Sequence, residues 1–165
     1  MKIGLIALST DLTIEEDFHK YCQHDVYTTR IIFQNPLTPE NLALLKEQIE
    51  DAKLRFPFVM DRYVFGCTSG TAIIGEGNIA NCINPLSACL HWMKQHNKSE
   101  LSLLTPYNEE VHGAVKDWFT KKGITVKNDI FLDYTSDIDI ANIDKKHLVD
   151  KISILGDDVI FSSCT

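Results

Sequence analysis

Short apolar runs and amphipathic helical segments take turns along this chain, and that alternation limits its fold more than any single motif. Residues 3 to 8 are apolar almost throughout and stop at Ser9-Thr10-Asp11, which suits a strand buried on both faces in a parallel sheet. A helix is expected next: Thr13 and Glu16 have capping-box spacing, and Ile14, Phe18, Tyr21 and Cys22 recur on one face. Tyr27 to Phe33 reads as a strand ended by Asn35-Pro36, and Thr38-Pro39-Glu40 as a helix start with Leu42, Leu45, Ile49 and Ala52 inward. A third strand is predicted over 61–66. A helix then runs from Thr71 to about Cys82, and Asn84-Pro85 leads into a further helix with no strand between them.

The pattern restarts after Glu100. Leu101 to Leu104 reads as a strand and Thr105-Pro106-Tyr107 as a loop. Val111, Ala114, Val115, Trp118 and Phe119 mark an amphipathic helix closed by Lys121-Lys122-Gly123. Strands over 124–132 and 158–161 flank a helix over 143–155. Three strand–helix units before residue 83 and about three after residue 100 form two half-repeats. The expected organisation is therefore an α/β fold with a lobe at 1–84 and a second at 85–165, their functional loops at the carboxyl ends of parallel strands.

Composition narrows the function classes. A length of 165 residues with 44% apolar content is enough for a core, and a net charge of −7 without a basic cluster argues against nucleic acid as a partner. The opening apolar run is too short for a signal-peptide core or a membrane span, so a cytoplasmic protein with no membrane partner is expected. The five cysteines, at 22, 67, 82, 89 and 164, form an odd set without paired spacing, which favours reduced thiols over a disulfide framework or structural zinc. His19 and His24, like His91 and His96, are five residues apart and share no helix face as metal ligands must.

Gly66-Cys67-Thr68-Ser69-Gly70-Thr71 is the stretch that carries chemistry. A glycine turn between a strand and a helix brings a thiol, several hydroxyls and backbone amides to one point. Cys67 by itself fits a small packing residue equally well; Thr68, Ser69 and Thr71 beside it favour a site. A phosphatase loop is excluded because Ile73 stands where its arginine would be, and a flavin loop would be expected after the first strand. Cys164-Thr165 ends the third strand of the second half as Cys67-Thr68 ends that of the first. Cys22, Cys82 and Cys89 lie on apolar helix faces and read as packing residues. Asp11 reads as a turn or cap residue at the end of the first strand.

Gly4-Leu5-Ile6 with Ser9-Thr10-Asp11, Tyr27 to Ile31, the Cys67 loop, Leu104-Thr105-Pro106-Tyr107 and Ser163-Cys164-Thr165 together resemble the aspartate/glutamate racemase superfamily. The branch they resemble is that of maleate cis-trans isomerase, arylmalonate decarboxylase and the ectoine-utilisation racemase-like proteins. The resemblance implies two pseudo-symmetric, flavodoxin-like parallel-sheet lobes with the site between them, and no metal, pyridoxal phosphate or other cofactor. It implies Cys67 and Cys164 as opposed catalytic thiols, one attacking the substrate or taking its α-proton and the other delivering a proton to the far face. Ser9, Asp11, Thr68, Ser69, Tyr107, Asn142 and Thr165 would bind the substrate.

The expected partner is a small carboxylate or amino acid, with homo-oligomerisation left open. Asp11 stands where the maleate isomerases carry asparagine, which tilts the expectation toward an amino-acid-like substrate. Family members also continue into a helix past the second cysteine, so a truncated second lobe is expected. Cys67 favours an isomerase or racemase; the alternatives are a catalytically impaired carboxylate-binding protein of the same fold and a decarboxylase of the arylmalonate type.

Overall fold

The computed structural model describes residues 1–79 and 81–163. Its first sheet is built from β1 (Lys2–Leu8), β2 (Asp25–Ile31), β3 (Arg62–Phe65) and β4 (Cys82–Ile83), all parallel, in the order β2-β1-β3-β4. The second contains β5 (Glu100–Tyr107), β6 (Thr125–Tyr134) and β7 (Ile160–Ser162), also parallel, in the order β6-β5-β7. In each sheet the first strand is central, the second lies on one side and the third on the other. The half-repeat is therefore a repeat of topology.

The central strands show why the sequence reads as it does. After the exposed Lys2 every residue of β1 is buried, and after Glu100 every residue of β5 is buried, because helices cover both faces. In the first lobe these are α1 (Ile14–Tyr21), α2 (Pro39–Ala43), α3 (Lys46–Leu54) and α4 (Thr68–Ile74). Of the later helices, α5 (Pro85–Gln95), α6 (Glu109–Lys121), α7 (Asp137–Ala141) and α8 (Lys145–Leu155), α6 and α8 pack on β5 and β6, and α5 packs on α4. One apolar cluster joins Ile6, Leu45 and Phe65 to Val115, Trp118 and Phe119, so the two sheets share a core. α4 packs against both α2 and α6 and is the seam between the lobes.

Several local expectations are corrected. Cys82–Ile83 is a strand after all: Tyr63 pairs with Cys82 and Val64 with Ile83, and so short an element is defined by its neighbour rather than by periodicity. The helix expected from Thr71 begins at Thr68, because the Cys67 thiol accepts the Gly70 amide at 3.2 Å and caps it. It ends at Ile74, and a 3-10 turn, Glu76–Asn78, follows it. The Thr13 side chain does not cap α1; Asp11 Oδ1 does, accepting the amides of Thr13 and Ile14 at 2.9 Å each. Residues 105–107 continue β5, and residues 133–142, unassigned in the sequence reading, contain α7 with Ser136 as its cap.

Among the described residues no helix is long and apolar enough to cross a membrane.

Candidate active site

The carboxyl ends of β1, β3 and β7 meet at a cavity of about 240 Å³ between the lobes. Its first-lobe wall includes Asp11, Ile14, Gly66 and Thr68, and its second-lobe wall Asp137, Ile140, Phe161 and Ser163. The two strand ends arrive there in matching ways. The Gly66 amide donates to Ile6 O of the central strand at 2.9 Å, and the Ser163 amide donates to Leu104 O of the other central strand at 3.0 Å. Cys67 is the second residue past β3, as position 164 is the second past β7.

Cys67 is buried, 4% exposed, between two residues of the cavity wall. Its thiol takes the Gly70 amide and lies 3.5 Å from Ser69 Oγ, while its carbonyl accepts the Thr71 hydroxyl at 2.6 Å. An amide and a hydroxyl therefore stand within hydrogen-bond reach of the sulfur. Gly70 permits this approach: a Cβ there would sit 3.0 Å from Cys67 Sγ and 3.1 Å from Leu45 Cδ1. Thr68, 3% exposed, lines the cavity.

The remaining residues predicted from the sequence divide. Asp11 is on the wall, in a loop held by Arg30, whose guanidinium donates to Leu8 O and Asp11 O at 2.8 Å each and pairs with Glu15. Ser69 is buried behind the thiol. Ser9 is turned away, exchanging hydrogen bonds with the Phe33 backbone at 3.0 and 3.2 Å. Tyr107 is fully buried, its hydroxyl 2.8 Å from Ser163 Oγ, so it reaches the cavity through Ser163. Asn142 is exposed, and its amide donates to Ile138 O at 2.7 Å at the end of α7; the adjacent Ala141 is the wall residue. Cys164 and Thr165 lie outside the described residues.

Sequence reasoning missed Asp137, Asp17, Ile140 and Ser163. Asp137 brings the lobes together: it accepts the Thr10 hydroxyl, its amide donates to Asn35 Oδ1 at 3.3 Å, and nearby the Leu37 amide donates to Thr135 O at 2.8 Å. Burial pushes the Asp137 carboxyl above its usual range; the Thr10 hydroxyl opposes this and the charge of Asp11 adds to it. The only sequence signal was a serine cap ahead of acidic residues.

A second network, buried at Thr105 and His112 and reaching the surface at Asp129, stands apart from the cavity. His112 Nδ1 lies 2.9 Å from Thr105 Oγ1 and its Nε2 2.9 Å from Asp129 Oδ2, while Lys116 Nζ reaches both Asp129 oxygens at 3.0 Å. The order hydroxyl, imidazole, carboxylate resembles a nucleophile triad. Thr105 is fully buried and absent from the cavity wall, so the chain fastens α6 to β5 and β6. Asp129 is held below the usual carboxylate range: burial raises it, and the hydrogen bonds from His112 and Lys116 outweigh that.

No family model matches the chain, and no curated protein matches it in sequence. Solved structures do match in fold. A maleate isomerase of Pseudomonas putida, a cysteine-to-alanine variant with maleate, superposes with a TM-score of 0.81 at 18% identity, over 99% of this chain and 77% of that one. A cysteine-to-serine variant of the Nocardia farcinica maleate cis-trans isomerase, with a covalently bound succinylcysteine intermediate, gives 0.83 at 16% identity, over 98% and 77%. A doubly substituted arylmalonate decarboxylase in its liganded form gives 0.83 at 18%, over 98% and 77%. The chain therefore has the fold of the maleate isomerases and arylmalonate decarboxylase, the branch that its motifs resemble.

Proposed function

We propose that this protein is a cofactor-independent isomerase or racemase acting at the carbon next to a carboxylate. The observation that carries this reading is that two lobes of the same strand order present equivalent strand ends, Gly66 to Thr68 and Ser162-Ser163, to one cavity. In this account Cys67 approaches the substrate from the first lobe and Cys164, next in the chain after Ser163, from the second. One thiolate removes the α-proton, charge passes onto the carboxylate, and the opposite thiol returns a proton to the other face. Alternatively a thiolate adds to the carbon framework and is later expelled. A covalent succinylcysteine in the Nocardia farcinica enzyme supports the second route.

In this account the hydroxyls of Thr68 and Ser163, both on the cavity wall, hold the carboxylate as its charge grows, which is where such sites gain most of their rate. The test is to incubate the protein with enantiopure amino acids and with cis and trans unsaturated acids, and to follow isomer composition by chiral chromatography. Conversion that Cys67→Ala abolishes is the expected result. Ligand binding with no conversion of any acid would identify a carboxylate-binding protein of this fold instead, and loss of carbon dioxide without isomerisation a decarboxylase.

A further inference from the structure

The charged groups on the cavity wall are all of one sign. Asp11 and Asp17 come from the first lobe and Asp137 from the second, and no lysine, arginine or histidine lines the cavity among the described residues. Neither Asp11 nor Asp137 has an ion-pair partner among those residues, and Arg30, the cation bonded to the Asp11 loop, is committed to two backbone carbonyls and Glu15. No three histidine, cysteine, aspartate or glutamate side chains among the described residues converge on a point that would hold a metal ion. A cationic group on an organic ligand would meet these carboxylates with no competing cation on the described wall.

Thr68 independently marks the cavity as a ligand site. It is 3% exposed and on the wall, and its hydroxyl has no hydrogen-bond partner among the described residues. A polar side chain removed from bulk solvent and open only to a cavity is matched by a ligand oxygen. Leu12, Ile14, Ile140 and Phe161 supply apolar wall between these polar groups.

We infer that the cavity takes a small α-amino acid with one carboxylate and an apolar side chain, its ammonium facing Asp11 and Asp137 and its carboxylate at the Thr68 hydroxyl. This rests on the reading of the cavity as the substrate site given above. It sets the protein apart from neighbours whose ligands are dicarboxylates, because a second carboxylate here would meet aspartates and no cation. The raised Asp137 carboxyl agrees with a group awaiting a positive partner.

Calorimetric titration of the full chain with leucine, isocaproate and maleate tests the inference without any variant, since isocaproate is leucine lacking its ammonium. Leucine, as one or both enantiomers, is expected to bind, and isocaproate and maleate each at least about tenfold more weakly, the size of one lost charged hydrogen bond. Asp11→Asn and Asp137→Asn, each a near-isosteric change, should shrink the leucine-to-isocaproate ratio. Isocaproate or maleate binding as tightly as leucine, or no leucine binding at all, overturns the inference. Leucine binding without isomerisation would uphold it while ending the isomerase reading. Turnover of maleate-like acids with no need for an amine would do the reverse.

Discussion

The Tyr107 hydroxyl lies 2.8 Å from the Ser163 hydroxyl, which fastens the end of β5 to the segment that leads into Cys164. Both residues are at least 98% buried, so neither hydroxyl can exchange its partner for bulk water. Tyr107→Phe should cost about 1 kcal/mol of stability, the ordinary worth of one internal hydrogen bond. As a positioning residue Tyr107 should lower kcat and leave KM nearly unchanged when replaced. Urea titration together with steady-state kinetics reads both effects; a KM rise with kcat intact would place Tyr107 on the substrate instead.

The cap of α1 is an exchange of roles between two neighbouring residues. Because Asp11 rather than Thr13 accepts the first amides of the helix, Asp11→Ala should destabilise by about 1 kcal/mol and Asp11→Asn by much less, asparagine being an equal cap. Thr13→Ala should change stability by less than about 0.5 kcal/mol. Chemical denaturation of the three variants decides which residue is the cap.

Two helix glycines should respond in opposite directions to alanine. In α6 a Cβ at Gly113 meets nothing within 4 Å, so Gly113→Ala should gain about 1 kcal/mol from helix propensity alone. In α4 the same gain at Gly70 is set against overpacking of about 1 to 3 kcal/mol, because the new atom would press on Cys67 Sγ, Leu45 and Phe65 at 3.0 to 3.2 Å. Gly70→Ala should therefore be destabilising and displace the thiol. Denaturation midpoints and the rate of Cys67 alkylation check both halves.

The Thr105–His112–Asp129 chain gives the protein a defined acid response. The folded-state pKa of Asp129 is depressed, so its contribution to stability is complete above the unfolded carboxyl pKa, about 3.9, and is lost as pH falls through the folded value. The gap in stability between the wild type and Asp129→Asn should therefore be widest near neutrality and close below about pH 4. Thr105→Val, which leaves a buried imidazole nitrogen without its partner, should cost about 1 to 3 kcal/mol. Thermal melts across pH measure both.

What could be read in advance was what is encoded locally. Thr38-Pro39 and Asn84-Pro85 start helices as their chemistry dictates, with Thr38 accepting the Asn41 amide and Asn84 forming a capping box with Ser87. The buried runs of β1 and β5 were equally plain. β4 was not legible, since two residues become a strand only through pairing with β3. The start of α4 was hidden because cysteine is a rare cap.

The site divides along the same line. Asp11 and Thr68 are fixed by their own turns and were found, whereas Asp137 reaches the cavity through contacts with Thr10 and Asn35, more than a hundred residues away. No local pattern encodes a contact of that span. Tyr107 and Asn142 were placed by resemblance, and their observed partners, Ser163 and Ile138, are set by how the second lobe packs around its own strand ends.

The measurement that bears most directly on the central claim is proton NMR of small amino acids and carboxylic acids in deuterium oxide, following the signal of the hydrogen next to the carboxylate. With the wild-type chain at least one acid should lose that signal as deuterium enters, or show cis–trans conversion, and Cys67→Ser should stop it while leaving the fold intact by circular dichroism. Signals that persist across the whole panel, or exchange that continues unchanged in Cys67→Ser, would contradict the account.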